Sequence, residues 1–258
     1  MRLQEIFLIE TTEEDRAIVS LASSISDYLR KYEDSEDTEV IKVGTIGDLF
    51  DTPLTILDPI KIELDTHNGI MERMKKERPD EVAKENSEVI GIWYMHSKTV
   101  VFDKDYIDTY ALKSIISHEL RHALDDFKSG FKASTSKKYA TPKDKANRKV
   151  TDDPYFGNVA YLAEPAEINA RFLEVMNQMV TQIRIIFKMS PEKIGPAIMQ
   201  TFRQALEHYQ IADLFPQKEK SKDYKQLIKR GMDFIQKEIQ HQESITGKKL
   251  SHSARHLP

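Results

Sequence analysis

Two histidines four residues apart carry the clearest chemistry in this sequence. They stand in the segment His118-Glu119-Leu120-Arg121-His122, a pattern used by metal-dependent hydrolases. On a helix, side chains at this spacing project from one face, so both imidazoles could present a nitrogen to a tetrahedral zinc ion. Glu119 lies about 100° further round such a helix, where its carboxylate could take a proton from a water molecule as a general base. The pattern predicts zinc-assisted hydrolysis.

The residues around this motif favour a helix with separate faces. Periodicity predicts a helix from about residue 108 to residue 127. Its core face is formed by apolar residues, namely Leu112, Ile116, Leu120, Ala123 and Phe127. His118 and His122 fall on another side with Ala111 and Ile115, and a polar strip contains Lys113, Ser114, Ser117 and Arg121. The sequence therefore predicts one face that packs in the core and a second face that lines a cleft.

A hydrolytic zinc site usually takes three protein ligands and leaves one position for water. Downstream candidates for the third ligand are Glu164 and Glu167, where a new helix is predicted to begin. Glu164 precedes Pro165, and the residue before a proline is biased away from helical geometry. Glu167 lies in the first helical turn, where a side chain is better held. Glu167 is therefore favoured, while Glu164, Asp152 and Asp153 stay open as alternatives.

The motif segment from His118 to Phe127 resembles the active helix of the anthrax lethal factor group of zinc peptidases, which includes the Pro-Pro endopeptidases. The resemblance continues from Glu167 to Phe172, where that group has a ligand glutamate opening a helix and an alanine three residues later. It covers about residues 88–175. It implies a zincin-like fold, peptide-bond hydrolysis and a set of site residues: His118, His122 and Glu167 as zinc ligands, with Glu119 as general base.

The same group places a tyrosine about seven residues before its ligand glutamate, where the hydroxyl stabilises the tetrahedral intermediate. Ala160 occupies that position in this chain, and Tyr161 stands one step away. The resemblance therefore makes Tyr161 the catalytic tyrosine candidate and Tyr155 the alternative.

Two acidic residues follow the motif on the same helix. Asp125 and Asp126 lie three and four residues after His122. Either carboxylate could orient an imidazole by accepting a hydrogen bond from it. The alternative is a solvated pair near the helix end, which the helix dipole would slightly disfavour.

The remaining patterns predict an α+β protein with two lobes joined by a long loop. The N-terminal lobe, residues 1–127, is predicted to hold a small mixed sheet and the motif helix. Its predicted elements are a strand at 3–9, a helix from Thr11 to about Lys31, strands and turns within 39–65, a helix or loop at 71–87, and a hairpin of 89–94 with 99–102. In zincin-like peptidases, an edge strand beside the active helix binds substrate, so residues 90–95 or 99–103 are candidates.

The second half of the chain is predicted to be a basic loop followed by helices. Residues 128–153 lack periodicity and are rich in lysine, so they are predicted to form a long mobile loop. The C-terminal lobe, residues 154–258, is predicted to contain three helices, the first beginning at Pro165, the second after residue 193 and the third near residues 224–243. An apolar stripe predicts the packed face of the first helix: Ile168, Phe172, Val175, Met176, Met179 and Ile183.

Composition limits the other classes of function. The net charge is -4, with residues 1–110 acidic and residues 217–258 basic, so no nucleic acid partner is expected. The chain has no cysteine, which excludes thiol chemistry and cysteine-bound zinc. We find no signal peptide or membrane segment and expect a cytoplasmic protein with no membrane partner, although signal-free export or virion packaging would leave no trace in the sequence.

The expected partner is a protein or peptide substrate, and a further protein could bind the C-terminal helices. Two other classes of function fit the same sequence. One is a structural or virion-type component that retains a zincin fold without cleaving anything. The other is an effector directed at one host protein.

Overall fold

A computed structural model describes residues 12–35, 40–77, 89–109, 111–130, 165–189, 194–212, 215 and 221–248. These residues form a mixed α/β structure with seven α-helices and one small sheet. The helices are α1 Thr12–Leu29, α2 Ile46–Leu49, α3 His67–Glu77, α4 Leu112–Ser129, α5 Pro165–Met189, α6 Ile194–His208 and α7 Lys222–Thr246. The strands are β1 Ile41–Thr45, β2 Lys61–Asp65, β3 Gly91–Tyr94 and β4 Thr99–Asp103.

The sheet is mixed and has the strand order β1-β2-β4-β3. Strand β2 pairs parallel to β4, whereas β1 with β2 and β3 with β4 are antiparallel. The predicted hairpin around residues 96–98 is confirmed by the β3–β4 pair. Among the described strands, β3 lies at an edge and β4 lies inside the sheet, so within this part of the chain only the first of the two candidate edge segments is an edge.

Contacts divide the chain into two compact units, Ala17–Thr135 and Met1–Arg16 with Ser136–Pro258. We call them the sheet unit and the helical unit. The division falls within α1, whose first residues group with the C-terminal helices. Asp15 explains this grouping, because it is fully buried and both its carboxylate oxygens accept hydrogen bonds from Arg230 of α7.

In the sheet unit, helices pack close to strand β3. Ile70 and Met74 of α3 bury against Ile92, Tyr94 and Val101 in one apolar cluster. Helix α4 also contacts β3, and this approach depends on a glycine. A Cβ atom on Gly91 would meet the Ile115 side chain at 2.6 Å, closer than two carbon atoms can pack. The absence of a side chain at Gly91 therefore lets the motif helix lie beside the edge strand.

In the helical unit, α5 packs against both α6 and α7. Pro165 is the first residue of α5, as predicted. The predicted apolar face of this helix is confirmed, since all six of its residues are buried: Ile168, Phe172, Val175, Met176, Met179 and Ile183. None of the described helices is both long and apolar enough to cross a membrane.

Several predictions fall outside the described residues. They include the strand at 3–9, most of the loop at 128–153, and five individual residues: Asp152, Asp153, Tyr155, Tyr161 and Glu164. The first three residues assigned to that loop are described and were wrongly placed, because Lys128 and Ser129 complete α4 and Gly130 caps it.

Candidate metal centre

The motif helix ends at a local signal but has no side-chain cap at its start. It begins at Leu112 rather than near Asp108. A separate 3-10 helix, Lys104–Tyr106, precedes it, and Asp103 caps that 3-10 helix by accepting a hydrogen bond from the Asp105 amide. The helix ends at Gly130, whose φ of 64° is left-handed and whose N–H reaches the Asp126 and Phe127 carbonyl oxygens. A glycine adopts that conformation without strain.

His118 and His122 lie together on one half-exposed face of α4. Their Nε2 atoms are 3.0 Å apart, and the two rings meet edge to face with centroids 4.7 Å apart. Two nitrogens bound to one tetrahedral zinc at 2.0–2.1 Å would lie about 3.3 Å apart. The measured separation is close to that value, so the pair fits two ligands of one zinc ion.

Glu119 is buried beside this pair and is held by the edge strand. Its Oε2 atom accepts a hydrogen bond of 2.8 Å from the backbone N–H of Trp93, and the side chain is 9% exposed. Ile90 accepts a ladder bond from the Asp103 amide. Bonded and non-bonded pairs alternate in an antiparallel ladder, so the Trp93 amide points away from β4. The Glu119 carboxylate therefore lies at the outer edge of β3.

The predicted polar strip of α4 is partly wrong. Ser117 and Arg121 are fully buried, although both were assigned to it. Each has a polar partner on the same helix, since the Ser117 hydroxyl donates to the Ser114 carbonyl and Arg121 Nη2 donates to Asp125 at 2.7 Å. Burial of a charge is tolerated where hydrogen bonds compensate it. Thus α4 is covered on more sides than a simple amphipathic pattern indicates.

Asp126 is buried, so the predicted alternative of a solvated acidic pair near the helix end is wrong for this residue. It is fully buried, and its Oδ2 atom accepts a hydrogen bond of 2.8 Å from the Trp93 indole Nε1. Trp93 therefore contacts α4 at two places, through its backbone at Glu119 and through its ring at Asp126. These positions are seven residues apart, which is about two helical turns. Two bonds of this kind fix the helix along and around its axis relative to β3.

Glu167 belongs to the helical unit and lies in the first turn of α5. It is buried, with 2% of its surface exposed. Its Oε1 atom accepts a hydrogen bond of 2.8 Å from Arg171 Nε, one turn further along the helix. Arg171 in turn donates to the Tyr209 carbonyl oxygen at 3.3 Å. The carboxylate is therefore held in a fixed orientation, as a preorganised ligand requires.

Two of these positioning residues were missed by the sequence reasoning. One sequence feature could have identified Trp93 as a positioning residue: it is the only tryptophan, and it stands in the predicted strand beside the motif helix. Arg171 gave a clearer signal, because a glutamate and an arginine four residues apart pair readily on a helix.

Comparison with known proteins gives no match: no family model, no curated protein and no solved structure matches the chain. The resemblance to the lethal factor group therefore depends on the short motifs alone.

Proposed function

We propose that this protein is a zinc-dependent metallopeptidase with a zincin-like fold. The observation that carries the proposal is the pair of converging nitrogens, His118 Nε2 and His122 Nε2, 3.0 Å apart on a half-exposed helix face. Beside them, Glu119 is the acidic residue that such chemistry needs. At this separation the two rings can share one hydrogen bond, or both nitrogens can bind one metal ion, and the adjacent Glu119 favours the metal.

The proposed ligands are His118, His122 and Glu167. This set has two neutral imidazoles and one carboxylate, a donor combination found in catalytic zinc sites. Arg171 supports the set by holding one oxygen of Glu167. When bound, zinc polarises the scissile carbonyl and acidifies the attacking water molecule.

The chain's own residues would then position and move protons. Glu119 accepts a proton at its carboxylate, and the Trp93 amide fixes that carboxylate in place. Among the described strands β3 is an edge, and its outward backbone groups, apart from the Trp93 amide that Glu119 already holds, could pair with an extended peptide. Tyr161 is the proposed donor to the oxyanion, with Tyr155 as alternative, and both lie outside the described residues. Zinc chemistry, a general base and a peptide-binding edge together favour amide hydrolysis.

A non-hydrolytic metal site is the second candidate. The observation in its favour is that Glu119 already accepts a hydrogen bond from backbone and is nearly buried. In that case Glu119 would hold α4 on β3 and would never exchange a proton. The two candidates bind the same metal, so they differ in turnover and not in zinc content.

The deciding experiment compares wild type with Glu119→Gln for zinc content and for cleavage of a random peptide library. Glutamine keeps an acceptor for the Trp93 amide, so the variant should fold and bind zinc. Loss of a general base should lower the cleavage rate by about 10²–10⁴-fold. His96→Ala serves as the matched control, because His96 is exposed in the β3–β4 turn. Equal cleavage by wild type and Glu119→Gln would refute the proposed mechanism.

The third ligand is tested by comparing Glu167→Ala with Glu164→Ala. Loss of a ligand should weaken zinc binding far more in the first variant than in the second. Glu167 could act as a zinc ligand or only as the partner of Arg171 on α5. Arg171→Ala separates these roles, because it removes the hydrogen bond between the two side chains while leaving the Glu167 carboxylate. If Glu167→Ala and Glu164→Ala retain zinc equally, Glu167 is not the ligand.

A further inference from the structure

A groove lies within the helical unit, where the C-terminal ends of α5 and α7 come together. Its volume is about 340 Å³, within the range of ligand-binding clefts. Phe187 of α5 and Ile245 of α7 line it, but Phe187 is buried, so the exposed apolar surface comes from Ile245. Ile245 is 61% exposed, the most of any large hydrophobic residue described. An isoleucine so exposed beside a concave surface is available for apolar contact with another molecule.

The charged residues that line this groove are all basic. They are Arg184 and Lys188 from α5 and Lys248 just after α7, and no carboxylate lines the groove among the described residues. Part of this charge is used locally. Lys248 Nζ donates to the Phe187 carbonyl oxygen at 3.2 Å, and Arg184 lies 3.6 Å from the buried Glu238. One carboxylate against three cations leaves a positive surface around an apolar centre.

We propose that this groove binds a linear acidic segment of a partner protein that also carries one large apolar side chain. The acidic residues would pair with Lys188, Lys248 and Arg184, and the apolar side chain would cover Ile245. The volume suits a few side chains and is too small for a folded domain. Complementary charge would speed association and select acidic partners, while burial at Ile245 would supply affinity.

Two other occupants fit less well. The chain's own segment after Lys248 contains Lys249 and Arg255 but no aspartate or glutamate, so its charge repels that of the groove. An anionic membrane surface complements the charge, but a concave groove between two helices presents less apolar surface to a bilayer than a flat or protruding face would. An acidic peptide satisfies the charge and the concave shape together.

The test is selection of short linear peptides from a random displayed library on the full chain, followed by fluorescence polarisation with the best synthetic peptide. We expect the selected peptides to combine acidic residues with a large apolar residue. The double variant Lys188→Glu, Lys248→Glu should weaken binding by about tenfold or more, and Ile245→Ser by several-fold. Higher salt should weaken wild-type binding.

The matched control is Lys225→Glu, Lys229→Glu, which reverses two exposed charges on α7 outside the groove. It should change affinity by less than about twofold. Circular dichroism of every variant checks that the helices persist. Selection of no acidic peptides, or equal binding by both double variants, overturns the proposal. Binding to phosphatidylglycerol vesicles without peptide selection, or self-association lost only in the groove variant, overturns it in favour of a membrane or a second copy.

Discussion

A buried ion pair in the helical unit and the histidine pair of the sheet unit satisfy their polar atoms in opposite ways. Arg230 donates to both oxygens of Asp15, at 2.7 and 2.6 Å, and to Asn169 at 3.2 Å. Opposite charges and complementary donors meet inside the protein. In the histidine pair, two imidazole nitrogens face each other, and they can share one proton in a hydrogen bond or bind one metal ion.

This difference separates a stabilising cluster from a ligand-binding one. The Asp15–Arg230 network is made by the chain itself, so its effect on stability should not depend on zinc. The histidine pair should contribute more when zinc is present than when it is absent. Substitutions in the two clusters should therefore differ in how their effects depend on zinc.

The largest expected effect on stability follows from Arg230→Ala. Asp15 would remain fully buried without its cation, and breaking a buried pair costs about 3–5 kcal/mol of unfolding free energy. Urea unfolding measures this loss, and zinc should not change it. Lys237→Ala, which removes an exposed ion pair with Glu13, is the control and should leave the midpoint nearly unchanged. A small loss in Arg230→Ala would mean that water reaches Asp15.

The next effect is conditional on zinc. At zinc concentrations of about 100 times the dissociation constant, wild type should gain about 2.7 kcal/mol of unfolding free energy. His118→Ala and His122→Ala should lose this gain while unfolding much like wild type without metal. His96→Ala should keep it. If the two motif variants lose stability equally with and without zinc, the histidine pair has a packing role and is not a metal-binding pair.

A smaller effect is expected from Trp93→Phe. Phenylalanine keeps an aromatic ring and the backbone N–H that holds Glu119, but it removes the indole donor to buried Asp126. Loss of one donor to a buried carboxylate costs about 1–3 kcal/mol. Thermal unfolding measures the loss, and Asp126→Ala, which removes the acceptor, provides the reciprocal variant. If Trp93→Phe is as stable as wild type, Asp126 is satisfied by its other contacts.

The sequence predicted where the helices and strands lie better than it predicted which of their polar residues are buried. Local spacing placed α4, its core face and the histidine face, because four-residue spacing on a helix determines which side chains are neighbours. It could not predict that Arg121 and Asp126 are buried. Their burial depends on partners distant in sequence, such as Trp93, which lies 33 residues from Asp126.

The same limit applies to the start of α1. Its helical period was evident, but the grouping of Asp15 with Arg230 joins residues 215 positions apart. No local pattern reports such a pair. The edge position of β3 was also open in the sequence, since either strand of a hairpin can lie outside. The parallel pairing of β2 with β4 decides it.

The smallest expected effect is the change of stability with pH that Asp103 causes. Asp103 is buried, and its neighbour His67 is half exposed. Asp103 is fully buried at the end of β4, where Oδ1 accepts the Asp105 amide and Oδ2 lies 3.5 Å from His67 Nδ1. Burial raises the pKa of Asp103 above its usual value of 3.8, against the lowering effect of the Asp105 amide and of His67. The folded protein therefore binds this proton more tightly than the unfolded chain.

The sign of the pH dependence follows from that difference. The contribution of Asp103 to unfolding free energy is complete below pH 3.8 and is lost as pH rises through the folded-state pKa. Asp103→Asn cannot titrate and keeps an acceptor for the Asp105 amide. The stability of wild type relative to this variant should therefore improve as pH falls from neutrality toward 3.8, because other groups titrate alike in both proteins. His67→Gln should steepen the change, since it removes the neighbour that opposes protonation. A relative stability of wild type that instead rises with pH would show that His67 and the Asp105 amide outweigh burial.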